Sequence, residues 1–239
     1  MTSLLAQIRI EIVLTLRRGE SLLLVLGLPL AFLVFFSKVS VLSTGSQSAV
    51  DFLTPGILAL AVMSTAMVSL SIATGFERSY GVLKRLGATP LGRPRLIAAK
   101  TAGVVAVELV QLVILVPVAY SLGWSPHPGW TGAVGGVVLG TVAFAGLGLV
   151  LARSLRAEVN LAASNALYLV LLLISGMMFD LGKLPSGVRQ VARLLPSAAL
   201  TEVLRGSLDG AGVAGRAWLT LALWAVLTPL GATRLFHWE

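Results

Sequence analysis

The sequence predicts an all-helical membrane protein. Six membrane-crossing helices are expected, with an amphipathic helix on the membrane surface at the N terminus, a short helix between spans two and three, and a short helix pair before span six. Three observations carry this reading. Of 239 residues, 56% are hydrophobic and 12% charged, half the charged share of about 25% usual in soluble domains, and the mean hydropathy is +0.93. The charged residues cluster at the ends of apolar runs. Those runs have the length, about 20 residues, that a helix needs to cross a hydrocarbon core of about 30 Å. The chain reads as a single membrane domain, 1–239.

Residues 1–19 place Leu4, Leu5, Ile8, Ile12 and Leu16 at helical spacing, with Arg9, Glu11, Arg17 and Arg18 mostly elsewhere on the wheel. This pattern predicts a helix lying on the interface. The uncharged run from Ser21 to Ser37 is longer than the apolar stretch of a usual leader, so span one, about 20–38, is read as retained. Pro29 is expected to kink it. Span two, about 52–76, carries Ser64, Thr65 and Ser69, whose hydroxyls can bond their own helix or a neighbour. Span three covers about 96–122, and WSPHPGW, with two prolines and two interfacial aromatics, separates it from span four at 131–152. Gly132, Gly136 and Gly140 recur every fourth residue of span four, which lets another backbone approach. Spans five and six follow at about 159–179 and 217–235.

With the N terminus inside, six of the eighteen Lys and Arg, namely Lys38, Lys183, Arg189, Arg193, Arg205 and Arg216, fall on the outer side and the rest inside. Both termini are therefore expected in the cytoplasm. Five of the outer cations lie in 180–216, where two amphipathic pieces around Pro196 are too short to span. They are expected to be half-inserted or interfacial helices whose arginines, Arg205 among them, reach headgroups.

The same inventory excludes most chemistry. Without cysteine there is neither a disulfide nor a thiolate metal site. His127 and His237 fall on opposite sides of the membrane in this topology and cannot share a metal. No nucleophile–base set, carboxylate pair or phosphate-binding GxxxxGK[ST] loop is present, so neither a catalytic nor a metal site is expected, nor ATP binding by that motif. The basic residues form no continuous stripe, which argues against nucleic acid. Glu108 is the one carboxylate deep in an apolar run, with Gln111 one turn on. At that depth it must be paired, protonated or facing water, as a cargo or proton contact or as a clamp between helices. Asn160, Ser164 and Tyr168 at fourfold steps, with Asn165 beside them, form a polar stripe on span five. Such a stripe can line a path or pin helices together.

Residues 77–95, ERSYGVLKRLGATPLGRPR, gather charge between spans two and three. A basic cytoplasmic loop explains the charge alone. Tyr80, Leu83 and Leu86, however, are read as one apolar face of a short helix ended by Gly87 and Pro90, a rod suited to docking a soluble partner. From 75 to 100 this stretch resembles the loop of type-2 ABC transporter permeases, a group of drug, lipid and polysaccharide exporters. Glu77, Gly81, Lys84, Arg85, Leu86, Thr89 and Pro90 match its recurring order, while Val82 stands where many relatives have Thr. The six-span layout and LLPSAALTEVLRG before span six, including Pro196, are also similar.

The resemblance implies a coupling helix, with Leu83 on its apolar face, seated in a separate ATPase subunit that holds ATP and Mg. It implies a second permease chain, in a homodimer or heterodimer, with the path between them in a plasma membrane, here a bacterial inner membrane. Lipid surrounds the spans, and no cofactor sits on this chain. Lipophilic drugs or lipids are the expected cargo. Two alternatives are an ion-coupled carrier using Glu108 and a scaffold without transport.

Overall fold

The computed structural model describes residues 2–17, 19–38, 48–88 and 92–235, and among these every regular element is helical. Arg18, Thr89, Pro90 and His237 lie outside the described residues. Helix α1 is Thr2–Arg17 and α2 is Gly19–Lys38. Next come α3 (Ala49–Met63), a π-helical segment (Ser64–Ser69) and α4 (Leu70–Ser79), which run on as one rod. Then follow α5 (Val82–Gly87), α6 (Arg93–Ser121), α7 (Trp130–Ser154) and α8 (Ala157–Ile174). After a 3₁₀ turn at Leu181–Lys183 come α9 (Ser186–Ala192), α10 (Pro196–Leu208) and α11 (Gly215–Leu235). Among the described residues, four rods are long and apolar enough to cross a membrane: Ala49–Ser79, Pro94–Ser121, Trp130–Arg153 and Ala157–Ile174.

The bundle is arranged around α7, which packs against α11, α10, α3, α4, α6 and α8. Its sequence explains the central place. Gly132, Gly136 and Gly140 bring α10 close at Ser207, Val203 and Leu200, and a Cβ on Gly148 would stand 2.6 Å from the Met67 carbonyl oxygen. Phe144 and Leu149 of α7 join Leu53, Ile57, Met63, Met67, Leu200 and Leu204 in one core. The outer faces remain apolar: Leu109 and Val113 of α6, Leu169 and Leu173 of α8, and Leu219 and Leu223 of α11 are exposed. In water such faces would aggregate, whereas in a bilayer they meet lipid.

Several expectations are corrected. Span five was expected to run to Phe179, yet α8 ends at Ile174, because Gly176 takes a left-handed φ of 78° and the chain folds back onto Leu181. The proline between the two short pieces, Pro196, opens the second of them, α10, which runs to Leu208; its missing N–H costs nothing in a first turn. Tyr80 does not share a face with Leu83, because Gly81, at φ 70°, separates α4 from α5. Tyr80 is exposed and stacks on Phe76.

Candidate functional site

A cavity of about 730 Å³ lies among α1, α2, the long rod Ala49–Ser79, α6 and α8. Its walls are mostly apolar, from Leu14, Val25, Leu28, Pro29, Val68, Ile72, Phe76, Val104 and Leu161. Hydroxyl and amide groups interrupt them at Ser64, Thr65, Ser69, Asn165 and Tyr168. The π segment supplies three of the four hydroxyl residues, Ser64, Thr65 and Ser69, and a widened turn of this kind recurs at functional places in helices. The volume is that of a small-molecule pocket, about 300–1,000 Å³, and so is the mixture of apolar wall and few polar groups.

The structure divides the polar residues expected on the path. Asn160 and Ser164 turn away from the cavity and are fully buried against α4. Ser71 Oγ donates to Asn160 Oδ1 at 3.0 Å, Asn160 Nδ2 donates to the Ser71 carbonyl at 2.9 Å, and Ser164 Oγ bonds Ser71 Oγ at 3.0 Å. These two are helix pins. Gln111 is another: its Nε2 donates to the Val25 carbonyl at 2.9 Å, and its Oε1 accepts from Thr65 Oγ1 at 2.9 Å. The Val25 carbonyl is the one that Pro29, four residues on and lacking an N–H, leaves without its helical donor. Glu108, one turn before Gln111, faces α7 instead, with Oε2 2.6 Å from Thr141 Oγ1.

Part of the cavity wall is a buried ion cluster of Glu11, Glu77 and Lys100. Lys100 Nζ lies 2.5 Å from Glu77 Oε2 and 3.3 Å from Glu11 Oε1, and Gln7 Nε2 donates to Glu11 at 2.9 Å. Three elements are tied at one ammonium: the N-terminal helix, the end of the long rod and the start of α6. Lys100 is 2% exposed, so the pair is held where solvent screens little. Beside it, Arg78 donates to the carbonyls of Arg153 and Leu155, capping the C-terminal end of α7. Residues 77–78 are thus bonded to α6 and α7, and through Lys100 to Glu11 of α1.

Beyond the cluster, α5 carries the loop. Leu83 is buried against Leu96 of α6 and touched by Leu86, a small cluster separate from the main core. Lys84 and Arg85 are exposed. Gly81 provides the left-handed turn that starts the helix.

In α10, Arg205 points inward, in place of the expected reach to headgroups. Its guanidinium lies 3.9 Å from the centre of the Phe52 ring and donates to the carbonyls of Phe52 at 3.3 Å and Gly176 at 3.1 Å. Burial lowers the basicity of this guanidinium, against the pull of Asp209, Asp180 and Glu202, while burial raises the Asp209 carboxyl against Arg205. The other arginines of 180–216 also have protein partners. Arg189 donates to the Gly182 and Leu184 carbonyls at 2.8 Å, and Arg193 and Arg216 approach Glu202 at 4.0 and 3.2 Å. Pro196 is buried at the start of α10.

Among the described residues, no group of three or more His, Asp or Glu could hold a metal. The arrangement is that of a binding cavity with a mechanical linkage in its wall.

Comparison with known proteins agrees. The model of the family described as ABC-2 family transporter protein matches residues 28–233. The protein named "Putative transport permease YvfS" of Bacillus subtilis (strain 168) is 24% identical over 199 residues, covering 80% of this chain and 81% of that one. The family match takes in the cavity-lining residues from Leu28 to Tyr168, leaving out those of α1 and Val25 of α2, and it includes the whole loop between the two longest rods. This chain is a membrane-embedded, multi-pass transport permease belonging to the ABC-2 transporter family.

Proposed function

We infer that the chain is the membrane subunit of an ATP-driven exporter and moves a lipophilic drug or lipid-like molecule. The observation that carries this reading is the position of the cavity, whose wall includes the ion cluster joining α1, Glu77 and α6. In this reading a separate ATPase subunit holds ATP and Mg and grips Gly81, Lys84, Arg85, Leu86 and the Thr89–Pro90 turn. Closure of the ATPase pair moves the loop; Glu77 and Arg78 pass the movement to α1, α6 and α7.

Ser64, Thr65, Ser69, Asn165 and Tyr168 are the path residues retained in this proposal. Asn160 and Ser164 act as pins. A second permease chain completes the path. Helices α2 and α11 join the four long apolar rods as spans one and six, placing both termini in the cytoplasm of a bacterial inner membrane. The apolar outward faces of α11 support this count. Glu108 does not line the cavity, which favours the ATP-driven reading over an ion-coupled carrier.

Filling the cavity tests it. Asn165→Trp and Ser69→Trp are each expected to lower the transport rate at least tenfold in vesicles containing both subunits, while leaving the thermal midpoint of the purified chain unchanged. Asn160→Leu is expected to do the reverse first, lowering stability by about 1–3 kcal/mol through the lost partner of Ser71. Full transport by both Trp variants would remove the cavity from the path.

A further inference from the structure

The carboxyl of Glu108 lies near the middle of the 29-residue helix α6 and is 3% exposed. Oε2 is 2.6 Å from Thr141 Oγ1, Oε1 is buried without a hydrogen-bond partner, and none of the ion pairs among the described residues involves it. Thr141 Oγ1 also lies 2.8 Å from the Val137 carbonyl oxygen, four residues earlier on α7. The hydroxyl therefore stands between two acceptors and owns one proton.

Two arrangements satisfy these distances. In the first, the one hydroxyl proton is shared in a three-centre bond, as Thr228 Oγ1 does between the carbonyls of Ala143 and Trp224 at 2.7 and 2.8 Å. At Thr228 both acceptors are neutral, so sharing leaves no charge exposed to apolar surroundings. At Thr141 the same sharing would leave an anion with part of one hydrogen bond, a bare second oxygen and no cation. An ion so placed carries a desolvation penalty of several kcal/mol.

In the second arrangement the carboxyl brings its own proton. Glu108 Oε2–H donates to Thr141 Oγ1, whose O–H donates to the Val137 carbonyl. Both short contacts then hold a proton, and Oε1 becomes the carbonyl oxygen of a neutral acid, a far smaller burial cost. We propose that Glu108 is a neutral carboxylic acid acting as a hydrogen-bond donor, the first link of a chain from Glu108 through Thr141 to Val137 that clamps α6 to α7. Glu108 is a positioning residue in this account. Its proton stays on the clamp, and its function is met by any neutral side chain that presents a donor at the same reach.

Infrared difference spectra of the purified full chain at neutral pH, wild type minus Glu108→Gln, test the protonation directly. The expected result is the carbonyl stretch of a protonated carboxyl, shifting on deuterium exchange; the paired stretches of a carboxylate in its place would overturn the proposal. Thermal midpoints test the donor role independently. Glu108→Gln is expected to match wild type, Glu108→Val and Thr141→Val to fall by equal amounts, and the double Val variant to fall no further than either. Failure of Glu108→Gln to fold, or a loss in Gln as large as in Val, would contradict the clamp.

Discussion

Lys100→Met is expected to destabilise the folded chain by about 3–5 kcal/mol, because it leaves Glu11 and Glu77 facing each other with their shared ammonium removed. The side chain that replaces it fills much the same space, so packing does not account for the loss. The excess negative charge does. Adding Glu77→Gln to Lys100→Met is therefore expected to recover a large part of the lost stability, since it removes one of the two like charges that Lys100 brings together. Thermal unfolding of wild type, both single variants and the double variant, followed by tryptophan fluorescence in one detergent, gives the coupling directly. Additive losses would mean that the cluster is not energetically connected. The double variant is expected to stay inactive in transport, because stability is restored without the Lys100–Glu77 tie that the proposed mechanism uses to carry movement.

The second large effect is expected from Leu83→Asp. Leu83 is 1% exposed and among the described residues belongs to a small cluster with Leu96 and Leu86. A carboxylate cannot occupy that place without a partner, and a six-residue helix has too few other contacts to hold it there. The helix is expected to leave α6 while the main core, which shares no buried residue with this cluster, stays folded. Membrane insertion and the thermal midpoint of the spans should change little, and transport should fall at least a hundredfold with ATP hydrolysis uncoupled from it. Leu83→Met, which keeps apolar volume, is expected to retain transport. Equal transport by Leu83→Asp and wild type would return α5 to the status of a plain basic loop.

Much of this architecture was legible because membrane solvent writes long, simple signals. The apolar runs, the four-residue glycine spacing of α7 and the charge gathered at 77–95 each have a local cause and each coincides with a helix or its contact, although four of the six expected spans are long and apolar enough to cross among the described residues. What escaped depended on partners far apart in sequence. In the sequence Lys100 is one of the inner cations and nothing more, and its salt bridges to Glu11 and Glu77 join residues from three separate segments. Gln111 looked like a companion of Glu108, yet it answers Pro29 on another helix. A proline in one span with a lone amide in another was the available signal. Asn160 and Asn165 are five residues apart, and composition cannot say which of them faces a neighbour and which a cavity.

Local conformation hid the remainder. The π turn at Ser64–Ser69 lies within an unbroken apolar helix pattern, and Gly176 ends α8 inside a run with no charge to mark the stop. Tyr80 fitted a helical face in spacing but lost it to the left-handed turn at Gly81.

The central claim is that this permease works with a separate motor seated on its 77–95 loop. Purification of the tagged chain from its native membrane in mild detergent, with crosslinking at Lys84 and quantification of every co-purifying nucleotide-binding protein, tests it most directly. The account expects one ATPase subunit per permease chain, joined through Lys84; recovery of the chain without any nucleotide-binding subunit, even after crosslinking, would contradict it.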